Sequence, residues 1–428
     1  MKKEELEKWG NEQFLEKIAK FQRQMDAHRS TYPFSRNVLV AKFKLANRKL
    51  EEYISKNSIL TIKDGEDEVY RIPMALHRDF IKYQQELECA SLAIQNISRN
   101  TVVAMVGCYD ALVGDMIRIL MHVKPEVLQS CGAFISASEL FTFPTIKDAE
   151  DYFIEKQVES ILRGSHEEQL TWIANKIGVK TCKEYPHFPD FIEITERRNL
   201  FVHAEGKVSQ SYITKCTNAG NALTAKVGDV LDASPQYVLK CHDVLMETGV
   251  KLSQVIWRKL NIGIEFCDES MQNITFDCLT SHQYTLAQDL LSYATTDVKK
   301  YSSEEYSWIY RVNHALSYYL AGDKAHSDSI VKAKDWSALD VKYRLAEAVL
   351  LENDERAREL MLRIGNRKDF QGYYQQWPLF RKFRQKEIFK STYEEIYKTP
   401  FIYQEPKDAN WKDFLAEAQD MLNDEAKK

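Results

Sequence analysis

Glycine and proline are scarce in this chain. Its 428 residues include 15 glycines and 10 prolines, well below the roughly 7% and 5% of average usage. Tight turns, and the short strands they join, are therefore expected to be few. An excess of charge of one sign is also lacking. The 58 Lys and Arg residues face 63 Asp and Glu, for a net charge of −5. No global basic field argues for a nucleic-acid partner, although a local basic surface is not excluded. Long apolar runs are missing too. The longest stretch, Thr101–Val123, is interrupted by Asp110, Asp115 and Arg118, so it reads as a buried core helix and not as a membrane span. The opening residues MKKEELEKWG continue into charge and not into an apolar segment, so no targeting leader is expected. Eight cysteines are scattered with no C-x-x-C pair and no zinc spacing. They read as reduced core thiols of a cytoplasmic protein. Phosphate-binding glycine loops, H-E-x-x-H, calcium loops and G-x-S-x-G are all absent, which removes the common nucleotide, zinc-protease, EF-hand and serine-hydrolase readings. No cofactor and no metal are expected.

What is present is helical material. The chain is 44% hydrophobic and 28% charged, an ordinary globular balance that excludes wholesale disorder. Its abundant Leu, Lys, Glu and Gln favour an all-α fold. The length suggests two or three domains. The pattern divides as an N-terminal helical extension over 1–76, a helical bundle over 77–262 and a helical repeat region over 263–428. Two helices are expected within 3–57, broken at Arg29–Ser35 by Ser30, Thr31 and Pro33. A short β-hairpin is expected near 59–74, around an Asp-Gly turn. Helices should follow over 77–98, 101–123 and 147–163. Ser165 and Glu168 form a capping box for the next helix. Gly206 reads as a helix stop. Ser234-Pro235 opens a long helix to about Lys259.

Beyond Ile262 the pattern repeats. Ala315, Leu320 and Asp323 match Ala346, Leu351 and Asp354 at a constant offset of 31 residues. This is the logic of stacked helical hairpins, similar to tetratricopeptide repeats. Such repeats usually bind protein. The tail then mixes aromatics with bases: Trp377, Phe380, Arg381, Lys382, Phe383, Arg384 and Lys386. Two readings stand: bases on phosphates with rings on nucleobases, or an amphipathic helix with Phe380 and Phe383 in the core.

One segment carries chemistry. In Glu196-Arg197-Arg198-Asn199-Leu200-Phe201-Val202-His203, two cations, an amide and an imidazole surround an apolar anchor. Arg offers a planar fork for phosphate and keeps its proton. His exchanges a proton near neutral pH. RNA supplies its own nucleophile, the 2′-hydroxyl. One proton-transfer group and one cation therefore suffice for metal-free transesterification. Residues four apart on a helix differ by about 40° and residues five apart by about 140°. Asn199 and His203 thus share a face and Arg198 lies to the side. A single copy is sparse, and two copies across a two-fold axis would supply two of each group. Arg197 is either a solvated neighbour or a phosphate contact. Tyr212 either lines the cleft or packs.

The run RNLFVH, with EKQVESILRGSHEEQLTWIANKIG before it and HAEGKVSQSYI just after, resembles the HEPN superfamily of ribonucleases over roughly 77–262. The resemblance implies an all-helical, usually dimeric, metal-independent endoribonuclease, often a toxin or an anti-phage effector. It carries Arg198, Asn199 and His203 over as the catalytic set. The partners it implies are RNA, a second copy, and a protein regulator, antitoxin or phage-derived trigger at the C-terminal repeats. No membrane partner is expected. The competing reading is a non-catalytic scaffold in which the bundle dimerises and the repeats gather proteins.

Overall fold

The computed structural model describes residues 2–58, 60–64, 67–132, 136–180 and 185–403. The chain divides into two compact units, Met1–Gly263 and Ile264–Lys428. Among the described residues the fold is all-α apart from one two-stranded hairpin.

The first unit opens with α1 (Lys3–Asn57), a single helix of 55 residues. The break expected at Arg29–Ser35 does not occur. Pro33 lies inside the helix. The hydroxyls of Ser30 and Thr31 bond back to the carbonyl of Ala27 instead of capping a new helix. The stripe Phe14, Ile18, Phe21, Met25 and Tyr32 is buried. Its packing outweighs the roughly 3 kcal/mol cost of an internal proline. Strands β1 (Leu60–Asp64) and β2 (Asp67–Arg71) pair antiparallel, Leu60 with Arg71 and Asp64 with Asp67. The turn residues 65 and 66 of the expected Asp-Gly turn lie outside the described residues.

The second long helix, α2 (His77–Val123), also runs unbroken through the expected gap near 99–100. Ser98 and Thr101 donate to the carbonyls of Ile94 and Ile97 and so stay within the helix. Short helices α3 (Pro125–Gln129) and α4 (Ala137–Leu140) lead to α5 (Ile146–Leu162) and α6 (His166–Ile177). Ser165 caps α6 in a reciprocal box with Glu168. Then come α7 (Phe188–His203), α8 (Gln210–Asn218) and α9 (Pro235–Leu260), the last capped by Ser234. Helices α1, α2 and α9 pack together. A Cβ at Gly249 of α9 would lie 2.7 Å from the Phe21 ring and 2.9 Å from Leu112, so glycine permits this close approach. Phe14 stacks on Trp257 at 4.9 Å. The Trp257 indole N–H donates to Asn11, whose amide donates to the carbonyl of Ile262.

The second unit contains α10 (Ile264–Thr280), α11 (Tyr284–Ser292), α12 (Glu304–Ala321), α13 (Lys324–Lys332), α14 (Val341–Leu350), α15 (Asp354–Ile364), α16 (Lys368–Gln376) and α17 (Glu387–Tyr397). Three of its hairpins close on the same turn. His282, Gly322 and Glu352 each adopt positive φ. The next N–H bonds a carbonyl five residues back: Gln283 to Cys278, Asp323 to Tyr318, and Asn353 to Ala348. Asp323 and Asn353 then cap α13 and α15, so Asp354 is the first helical residue of α15 and not its cap. The basic aromatic tail packs. Phe380 and Phe383 are buried. Arg384 donates to the carbonyls of Tyr374 and Trp377, Lys382 to that of Tyr319, and Lys386 to Asp354. Arg381 bonds Tyr284 and the carbonyl of Thr280. Each of these bases therefore pins its own unit.

Candidate functional site

Helix α7 carries the RNLFVH run. Pro189 sits in its first turn, where the missing N–H costs nothing. Phe191, Ile194 and Leu200 are buried and fix the helix in the core. Its end is held by a turn. The Gly206 N–H bonds the Leu200 carbonyl at 3.0 Å, and Gly206 has φ +85°. A Cβ there would meet the Leu231 carbonyl oxygen at 2.4 Å. Lys207 bridges to Val230, and the Leu231 N–H bonds the Gly206 carbonyl at 2.9 Å. From α2, Arg99 donates to Asp232, to the carbonyl of Glu205 and to the carbonyl of Leu231, at 3.1–3.2 Å. Gly206 thus ends the helix as its sequence suggests, and the segment before α9 clamps the turn. His203 is the last residue of α7 and is exposed. No hydrogen bond joins its side chain to another described residue.

Arg198 is engaged. Its Nη2 donates to Asp110 Oδ2 at 2.5 Å, and its Nη1 to Asn199 Oδ1 at 3.0 Å. The other oxygen of Asp110 meets His166 Nε2 at 2.8 Å. One carboxylate on α2 therefore joins α6 to α7. The ring of His166 is set edge-on to the buried Phe191, 5.8 Å between centroids at 84°. Sequence reasoning assigned no role to Asp110 or His166. The signal for Asp110 was its position: a carboxylate inside the longest apolar stretch, Thr101–Val123, needs a partner, because an unpaired charge there is costly.

Arg197 and Tyr212 lie in a separate network centred on Glu193, which is only 7% exposed. Arg197 Nε donates to Glu193 at 2.6 Å, the Tyr212 hydroxyl to the same oxygen at 2.6 Å, and the Tyr237 hydroxyl to the other oxygen at 2.9 Å. The Arg197 guanidinium also lies 4.1 Å from the Tyr237 ring centre. Burial and the Glu193 charge push both tyrosine hydroxyls above their ordinary range. Burial opposes the Arg197 charge, but Tyr237 and Glu193 more than compensate, so its proton is held more firmly than usual. Burial pushes the neighbouring Cys216 thiol up to about 12. Of the five residues singled out from sequence, Arg198 and Asn199 touch each other and His203 stands at the helix end. Arg197 and Tyr212 face the buried carboxylate, so Tyr212 packs and does not line a cleft.

A groove of about 570 Å³ opens beside this centre, lined by His166, Trp172, Thr195, Glu196 and Lys215 among others. Lys215 donates to Glu196 at 2.8 Å. Two carboxylates near the motif, Asp110 and Glu196, are each paired with one of the chain's own cations. Comparison of the chain with models of protein families, with curated proteins and with solved structures finds no match.

Proposed function

We propose that the protein is a metal-independent endoribonuclease of the HEPN type. The observation that carries this reading is an exposed imidazole at the pinned end of α7, one helical turn from Asn199 and on the same helix as a guanidinium oriented by Asp110. In the proposed reaction the 2′-hydroxyl oxygen attacks the adjacent phosphorus and gives its proton to His203. Arg198 stabilises the added negative charge on the phosphorane. The P–O5′ bond breaks, and the leaving oxygen takes a proton from His203 of a second copy or from solvent. The products are a 2′,3′-cyclic phosphate and a 5′-hydroxyl. Such an activity suits a toxin or an anti-phage effector, with the helical hairpins of the second unit as the docking place of a regulator.

The Arg198–Asp110 ion pair favours one alternative. A guanidinium already neutralised can serve structure alone, which is what a non-catalytic scaffold requires. The test is incubation of the purified protein with total cellular RNA in EDTA, wild type against His203→Ala, with end-group mapping. Cleavage by the wild type alone, leaving cyclic phosphate and 5′-hydroxyl ends, is expected. Equal cleavage by both proteins, or ends of another kind, would sink the ribonuclease reading at this site.

A further inference from the structure

We infer that the groove between α6 and α7 is a nucleobase site, selective for bases that carry an exocyclic amino group. The inference rests on the ribonuclease reading for its choice of RNA as ligand. Four observations carry it.

First, the groove and the motif share one stripe of α7. Ile192, Thr195 and Glu196 line the groove. Asn199 lies seven residues beyond Ile192, and His203 seven beyond Glu196. Seven residues bring a helix back to within about 20° of the same face. A strand seated in the groove therefore reaches Asn199 and His203 without leaving this face. Over the rise from Glu196 to His203 it travels only about 10 Å.

Second, the opposite wall supplies an aromatic surface. Trp172 and Asn175 project from one stripe of α6 into the groove. The indole of Trp172 is half-buried, with the Lys176 ammonium over its ring at 5.6 Å. Stacking on such a ring is a sequence-tolerant source of affinity for single-stranded RNA.

Third, the charge of the groove suits a base better than a phosphate. Glu167, Glu168 and Glu196 line it against a single Lys or Arg, Lys215. Lys215 is bound to Glu196, and Glu168 accepts from the backbone and hydroxyl of Ser165. Carboxylate oxygens accept hydrogen bonds from the amino groups of adenine, cytosine and guanine, whereas uracil offers only its imide N–H, flanked on both sides by carbonyl oxygens that a carboxylate repels.

Fourth, the phosphate has its own place. Arg198 has five N–H donors, and its bonds to Asp110 and Asn199 use two of them. His166 stands at the junction, lining the groove on one side and sharing Asp110 with Arg198.

The experiment measures binding of fluorescein-labelled 2′-O-methyl oligoadenylate, which cannot be cleaved by its own 2′-oxygen, to the full-length protein by anisotropy. The matched oligouridylate is the comparison. Trp172→Ala is expected to weaken oligoadenylate binding about tenfold or more. Trp172→Phe, which keeps a ring, should retain most of it. Oligouridylate should bind more weakly than oligoadenylate to the wild type. Equal binding by Trp172→Ala and wild type overturns the site, as does equal affinity for the two oligomers or no binding of either. Thermal melts of the alanine variant distinguish a lost contact from a lost fold, and the phenylalanine variant keeps the test valid if alanine does not fold. The outcome separates from that of the cleavage assay. RNA cleavage with Trp172-independent binding leaves the ribonuclease reading and removes the groove. Trp172-dependent binding with no cleavage does the reverse.

Discussion

Asp110 and Arg198 are 88 residues apart in the chain and 2.5 Å apart in the fold. The carboxylate fixes the guanidinium from the neighbouring helix, and both side chains are more than two-thirds buried. Asp110→Asn keeps the shape and removes the charge. It is expected to lower stability by about 1.5–3 kcal/mol, the range for a hydrogen bond to a charged group. Urea denaturation measures this. If the ribonuclease reading holds, the same variant lowers the turnover of RNA more than its binding, because Arg198 then meets the phosphorane from a less fixed position. A variant as stable and as active as wild type would remove Asp110 from the argument.

The turn after His203 offers a second test. Gly206→Ala meets two obstacles, a φ of +85° and the Leu231 carbonyl oxygen at 2.4 Å. Gly178, at the end of α6, has φ +68° and nothing within 4 Å of an added Cβ. The strain of the left-handed backbone costs roughly 1–2 kcal/mol at either place. Gly206→Ala must in addition push the Leu231 segment away, so it should cost clearly more than Gly178→Ala in a side-by-side melt. Equal costs would show that the 229–232 segment yields easily.

Acid should weaken the second unit through His314. Burial, helped by the Arg311 charge, lowers this imidazole from its ordinary value near 6.5 to about 4. The unfolded chain therefore binds a proton at His314 before the folded chain does. Stability is lost as pH falls from about 6.5 towards 4 and is regained on return. The full contribution is of order 3 kcal/mol. Denaturation curves across that pH window, wild type against His314→Gln, should converge at neutral pH in slope and diverge in acid. An unchanged acid slope in the variant would exclude His314 as the source.

Local signals were legible because local chemistry decides them. The Ser165–Glu168 box, the Ser234-Pro235 start and the Gly206 stop all act within one turn of the backbone, and all three appear as their sequence suggests. The break expected at Pro33 does not occur. It is overridden by the buried stripe that α1 lays along α2 and α9, a long-range effect. The motif residues of α7 were visible because they are adjacent in sequence. Asp110 and His166 were not, since only the fold brings α2, α6 and α7 to one carboxylate. By residue type Arg197 reads as solvated or phosphate-bound, and Tyr212 as either lining a cleft or packing. The buried charge of Glu193, which one sequence does not reveal as buried, claims both.

The clamp on the Gly206 turn also sets an order of events during synthesis. His203 is made well before Leu231 and Asp232, yet those residues and Arg99 are what hold the turn beside it. On a growing chain the turn beside the imidazole lacks these bonds until the segment leading into α9 has emerged and docked.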